Sequence, residues 1–259
     1  MPHLKIGIEL AGLGLPPKEA LKSAADLGAD AVELDARGQF APKSLAETGL
    51  RQLRKMLADL HLRVAAVSFR TRRGYDSPAD LEARVEATKA AMRLAARLGA
   101  AAVVNHVGRV PSDPNPSTAG LLLEVLADLA HYGNHVGAFL AAETGSEPGT
   151  QLARLMDCLP EGTIGVDFNP GNLAAAGHSP TEAVAALGPR ILHVHATDGF
   201  CNLATQRGEI TPLGSGATDF PSLLAMLDEH GYQGHFTISP HGPDPQASAA
   251  LAIDYLRKL

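Results

Sequence analysis

The chain has 259 residues, a formal net charge of −6, 45 % hydrophobic residues and 19 % charged residues. That length can bury a large core, either as one α/β barrel or as two smaller domains, and the acidic balance argues against a nucleic-acid partner, which needs a basic face. Cys158 and Cys201 lack metal-like spacing, which argues against a disulfide framework or a zinc knuckle and fits a reducing, cytoplasmic setting.

The start, MPHLKIGIEL, lacks the basic segment and long apolar stretch of a signal peptide. No apolar run reaches the roughly 18 residues that span a bilayer, so no membrane association is expected. Apolar, strand-like runs are predicted at Lys5–Leu10, Ala31–Asp35, Arg63–Phe69, Ala101–His106, Gly137–Glu143, Thr163–Phe168, Ile191–Ala196 and His235–Ser239. Between them, helical patterns cover Pro17–Leu27, Lys43–Leu60, Pro78–Leu98, Ser117–His131, Thr150–Leu159, Ser179–Leu187 and Phe220–His230, and Pro245–Leu259 closes the chain. The helical runs show apolar spacing, as in Leu45, Leu50, Leu53, Leu57 and Leu60. The strands are continuously apolar, as parallel strands buried on both faces are.

Glycines in LGAD (27–30), LGAA (98–101) and GYQG (231–234) mark helix ends that turn directly into a strand. Pro17, Pro78, Pro180 and Pro221 sit at or near helix starts, where the missing N–H costs nothing. Eight strand–helix pairs without a composition shift predict a single (β/α)8 TIM barrel over residues 1–259. An open doubly wound sheet would want a glycine-rich phosphate loop after the first strand, and Glu9-Leu-Ala-Gly-Leu-Gly-Leu is not one. Thr197 to Asp219 reads as a long loop without clear helix or strand, a length that is usually functional.

Polar residues stand where the apolar strands stop: Glu33 and Asp35, His106, Glu143, Asp167 and Asn169, His195 and Asp198, and Ser239. In a parallel barrel those ends form the active face. Strand parity puts His193 with His195 and Asp167 with Asn169, one of each pair at the mouth and the other a layer deeper. Glu143 and His195 are expected to converge. A carboxylate ending an apolar strand is rarely buried unpaired, so Glu143 is the leading catalytic candidate. His106, Asp198 and Arg207 are candidate substrate-binding residues; Asp198 alternatively orients the His195 ring or begins the loop, Arg207 alternatively is a solvated loop arginine, and His195 itself alternatively is a core histidine.

The order and spacing of LAAETG (140–145), GVDFNPGNL (165–173), HVHATD (193–198), PLGSGATDF (212–220) and GYQGHFTIS (231–239) resemble the xylose isomerase-like barrels. That group contains sugar isomerases, epimerases, inosose dehydratases and endonuclease IV-type enzymes. The resemblance runs over nearly the whole chain. It implies one divalent cation (Mn, Mg, Co or Zn) held by a Glu, an Asp, a His and a Glu from the fifth to eighth barrel strands. Glu143 matches the first ligand and His195 the third. Asn169 stands where the Asp is expected, with the acid two positions upstream at Asp167, and Ser239 stands where the second Glu is expected. His241 is a further candidate for the fourth position. Relative to the family, the metal site is degraded.

The resemblance implies proton abstraction beside a carbonyl by an isomerase, epimerase or related dehydratase acting on a small sugar or polyol, with Glu143 as base. The alternative is a non-catalytic or regulatory sugar-binding barrel. A nuclease of the endonuclease IV type would need more His and acidic ligands than the sequence offers, and a surface that tracks phosphates. Barrels of this kind often pair, so a homodimer is one candidate assembly and the oligomeric state stays open.

Overall fold

The computed structural model describes residues 4–38, 40–159, 164–202, 204–205 and 207–259. The strands in chain order are β1 (Ile6–Glu9), β2 (Ala31–Asp35), β3 (Arg63–Ser68), β4 (Ala102–Asn105), β5 (Phe139–Glu143), β6 (Gly165–Phe168), β7 (Ile191–His195), β8 (Asp198–Asn202), β9 (Arg207–Thr211) and β10 (Phe236–Ile238). Among the described residues, β1 to β7 and β10 pair in parallel and close into a barrel in the order β1-β10-β7-β6-β5-β4-β3-β2. Helices α1 (Pro17–Asp26), α2 (Glu47–Asp59), α3 (Leu81–Leu98), α4 (Pro116–Val136), α5 (Gly149–Asp157), α6 (Pro170–Ala175), α7 (Pro180–Leu187), α8 (Phe220–Glu229) and α9 (Pro245–Arg257) form the connections. This is the expected (β/α)8 TIM barrel.

Two physical devices set the alternation. Each helix buries one apolar stripe, as with Leu50, Leu53 and Leu57 of α2, and leaves its other faces polar. Short turns then return the chain to the next strand. Gly99 ends α3 in the left-handed region at φ 76°, a conformation that costs a residue with a Cβ, and β4 follows at once.

The apolar core is unevenly divided. Most of it lies between strands and helices, where Leu34, Val103, Leu140, Val166 and Phe168 point outward from the barrel. A second, small cluster of Ala66, Ala102, Val104 and Ala141 is separate from it. Those short side chains share parity with the inward-facing strand ends, so this part of the barrel interior is thinly filled. The remaining interior is polar: Glu33, Asp167, His193, His195 and Thr237 are all buried.

The structure departs from the sequence expectation in three places. The stretch after β7 is not an irregular loop: β8 and β9 pair as an antiparallel hairpin from Asp198↔Thr211 to Asn202↔Arg207. Ten residues of ordinary polarity hid it, because their alternation is masked by glycines and charges. α4 runs five residues beyond the expected His131, to Val136. A short helix, α6, follows β6 directly, started by Pro170 and capped by the Asn169 side chain. The expected strand start at Thr163 lies outside the described residues. Among the described residues, no helix is long and apolar enough to cross a membrane.

Asp198, a candidate substrate contact, holds the hairpin and its following loop to the end of β7. Its carboxylate is fully buried and accepts from four backbone N–H groups, those of Gly199, Gly214, Gly216 and Thr218, at 2.8–3.1 Å. A Cβ at Gly216 would collide with that carboxylate. The side chain is therefore committed to the backbone and does not line the cavity described below. Asp198→Ala should cost about 3 kcal/mol, because several buried N–H groups lose their acceptor together. Urea melts read by circular dichroism check the loss, and early proteolytic nicking between residues 198 and 219 checks its location.

Candidate active site

A cavity of about 940 Å³ opens at the C-terminal ends of the barrel strands, within the usual range for a small-ligand site. Glu9, Arg70, Glu143, Asn169, Asn172 and Ser239 line its barrel side, and Ile210, Thr211, Leu213 and residues of α9 line the opposite wall.

Beneath this floor lies a buried ionic layer. Asp167 is fully buried; its Oδ1 accepts from Nδ1 of His193 at 2.8 Å, and its Oδ2 lies 2.8 Å from Nδ1 of His195. The other nitrogen of His195 stands 2.9 Å from Glu33 Oε2, as an ion pair without the alignment of a hydrogen bond. Both nitrogens of His195 thus face carboxylate oxygens, and only the imidazolium has a proton for each. Burial alone would push His195 down, but Asp167 and Glu33 hold its pKa well above the ordinary 6.5. Burial would likewise raise Glu33, yet His195, His193 and Arg70 bring it to about 2 from 4.5. Asp167 is lowered by the same balance of burial against the two histidines. His193 completes the layer, with Nε2 2.8 Å from the Thr237 hydroxyl.

Arg70 forms the upper layer. It lies two residues beyond the end of β3, in parity with Ala66 and Ser68, so its side chain enters the mouth. Nη1 donates to Glu9 Oε1 at 3.0 Å and Nη2 donates to Glu143 Oε1 at 3.2 Å. Nη2 also lies 3.5 Å from His195 Nε2. Burial would lower the guanidinium pKa, but Glu143, Glu33 and Glu9 raise it, so the charge is permanent. On Glu9 burial acts first and the Glu33 charge second; both raise its pKa, against Arg70, His195 and a hydrogen bond from Ser239.

Glu143 Oε1 is a point of convergence. Besides Arg70, it accepts from Asn169 Nδ2 at 3.1 Å and from Asn172 Nδ2 at 3.4 Å. Among the described residues no donor is assigned to Oε2, which leaves that oxygen to a ligand.

The sequence candidates are therefore distributed as follows. Glu143, His195 and Asp167 come together, with ligand atoms within 4.8 Å of one another, and Glu33, His193 and His195 form a second such group. Of the Asp167 and Asn169 pair, Asn169 is at the mouth and Asp167 a layer deeper; the β6–β7 register shifts between Val166 and Asp167. Asn169 is engaged at both ends, since Oδ1 accepts from the Asn172 N–H and the Thr197 hydroxyl. His106 turns aside, with Nε2 donating to the Thr71 carbonyl. Arg207 is exposed at the start of β9, away from the cavity lining. His241 is exposed at the rim, with Nδ1 3.1 Å from the Ser239 carbonyl. Glu9 and Arg70 were not among the candidates. Parity identifies both: Glu9 is the last residue of β1 in phase with Gly7, and Arg70 continues the inward face of β3.

Comparison with known proteins agrees with this architecture. Residues 21–259 match the family described as xylose isomerase-like TIM barrel. The chain belongs to that family. A rhizopine catabolism protein, MocC, from Rhizobium meliloti is 29 % identical over 213 residues, covering 70 % of this chain and 65 % of that protein. An inosose dehydratase from Bacillus thuringiensis (strain Al Hakam) is 26 % identical over 145 residues, covering 49 % of this chain and 46 % of that protein. The chain thus spans less than two thirds of the length of either relative. The crystal structure of a xylose isomerase domain protein from Planctomyces limnophilus superposes with a TM-score of 0.86 at 24 % identity, covering 99 % of this chain and 98 % of that one.

The buried layer has a signature in pH. His195 is raised, so its stabilisation is complete below its ordinary 6.5 and is lost as pH rises toward its folded value. Glu33 is depressed, so its stabilisation is complete above its ordinary 4.5 and is lost as pH falls toward about 2. Stability should therefore be greatest between those limits and decline on both sides. Melting temperatures measured across pH check this, and His195→Asn should lose the alkaline slope that the wild type shows above neutrality.

Proposed function

We propose that this protein removes the proton from a carbon next to the carbonyl of a small, unphosphorylated sugar or polyol, leading to isomerisation, epimerisation or dehydration. One observation carries the reading: Glu143 has Oε1 fixed by three donors and Oε2 unassigned, at the floor of the cavity. A base held in one orientation with one free oxygen is suited to C–H abstraction. The family membership and the names of the dehydratase relatives support the substrate class.

The lining favours a neutral substrate. Glu9, Glu143 and Asp244 face the cavity with Arg70 as the only permanently charged cation among its described lining residues. A phosphate would meet more negative charge than positive there.

The side chains fit the implied divalent ion poorly. Both nitrogens of His195 are committed to carboxylates. Asn169 has its carbonyl oxygen spent on a helix cap and a hydroxyl, Ser239 brings no charge, and Arg70 stands against Glu143. No step of the mechanism is routed through a metal.

In the forward step, Glu143 Oε2 takes the proton. The C–H electron pair becomes a carbon–carbon double bond, and the carbonyl pair moves onto oxygen as an enolate. Reprotonation at the same carbon from the other face gives the epimer. Reprotonation at the former carbonyl carbon, with the hydroxyl proton transferred, gives the isomer. Loss of a β-hydroxyl as water gives the enone.

The test is deuterium uptake from heavy water, read by NMR, into unphosphorylated ketohexoses and keto-inositols. Wild type should exchange the proton beside the carbonyl, and Glu143→Gln should slow exchange by about 10²–10⁴-fold. Ligand-dependent melting shifts without exchange for any ketone would favour the sugar-binding alternative.

A further inference from the structure

We propose that the guanidinium of Arg70 is the resident cation of this site, in place of the divalent ion that the resemblance implies, and that Glu9 supplies the second carboxyl, which Ser239 cannot. The catalytic half of this inference rests on the function proposed above; the cation half does not.

The geometry is that of a cation clamped between two acids. Glu9 and Glu143 accept from different nitrogens of the same guanidinium, at 3.0 and 3.2 Å. Both carboxylates are mostly buried, with side chains 13 % exposed, whereas Arg70 remains 40 % exposed on the cavity side. Its Nε is buried and has no hydrogen-bond partner among the described residues, so only the two Nη nitrogens face the carboxylates. A metal ligated by Glu143 would lie beside this fixed charge and be repelled by it. Asn169 and Ser239 are neutral where the resemblance expects acids, which is consistent with a site that carries one positive charge instead of two.

The register explains where the second acid went. β1 and β10 are neighbours, paired through Ile8↔Ile238. The next residues along are Glu9 and Ser239, which both line the cavity, and Ser239 is one of the groups that lower the Glu9 pKa against burial. The carboxyl thus stands one strand around the barrel, beside the serine at the vacated position.

With Glu143 as base on one side of the guanidinium, the enolate oxygen forms against Arg70 N–H groups that are already in place and need no reorganisation. Glu9, which burial and the Glu33 charge favour as the neutral acid at the start of the cycle, then gives its proton on the other side, either to the carbon, forming the epimer, or to the departing β-hydroxyl, which leaves as water while the enolate oxygen pair re-forms the carbonyl and the carbon–carbon pair shifts toward the β carbon. Solvent exchange returns the proton from Glu143 to Glu9.

Manganese titration followed by electron paramagnetic resonance tests the cation directly. Wild-type protein should leave the free Mn²⁺ signal undiminished, and neither EDTA nor Mn²⁺ should shift its melting temperature. Arg70→Ala, which uncovers Glu9 and Glu143, should gain Mn²⁺ affinity by about tenfold or more, and Arg70→Lys, which keeps the charge, should not. Stoichiometric Mn²⁺ capture by wild type, or no gain in Arg70→Ala shown to be folded by near-UV circular dichroism, overturns the assignment. In the deuterium assay, EDTA should leave the wild-type rate unchanged, Arg70→Gln should lower it by about 10²-fold, and Glu9→Gln should abolish epimer or enone formation more than exchange. Retained epimer or enone formation in Glu9→Gln sinks its role. A wild type that exchanges no ketone sinks the proposed function, while the manganese result still decides Arg70.

Discussion

One imidazolium held between two buried carboxylates sets the terms for everything above it. His195, Asp167 and Glu33 sit inside the barrel with almost no access to water. Removing such charges from solvent is costly, and only close mutual pairing offsets it. The layer can exist because the inward residues of β3, β4 and β5 are small, leaving space that the layer and Arg70 fill. Once His195 is committed downward on both nitrogens, the floor of the cavity must draw its positive charge from elsewhere, and Arg70 enters from β3.

The fold was legible in the sequence because it depends on repeated, local signals. Continuous apolar strands, amphipathic helices and left-handed glycines recur around the ring, and an error at one junction does not alter the others. β2 from Ala31 to Asp35 has the bounds that its pattern predicts. The hairpin after β7 gave no such signal: Gly199, Gly208 and the charged Arg207 and Glu209 break its alternation, and its stability comes from packing on α6 and from Asp198.

The site was legible in part, for a different reason. Glu143, His195, Asp167 and Asn169 terminate strands that periodicity can locate. Parity alone could not say which of Asp167 and Asn169 reaches the mouth, because that depends on a register shift between β6 and β7. Arg70 lies two residues past the last residue of its strand, and Glu9 ends β1 inside a predicted strand that reads on to Leu10, where a short helical turn begins instead. Neither belongs to a motif. Their significance is relational: it lies in distances between strands remote in sequence, 61 residues for Glu9 and Arg70 and 73 for Arg70 and Glu143.

The hairpin has a consequence of its own. It is anchored at one end by Asp198, lies on α6 so closely that a Cβ at Gly208 would collide with Ala175, and contributes Ile210 and Thr211 to the cavity wall. It takes no hydrogen-bonded place in the barrel ring. One wall of the cavity is thus an appended module, whose length and side chains can drift while the barrel and its ionic floor stay fixed. Selection for new ligands could act on this insert without reopening the electrostatics beneath it, separating the evolution of recognition from that of chemistry.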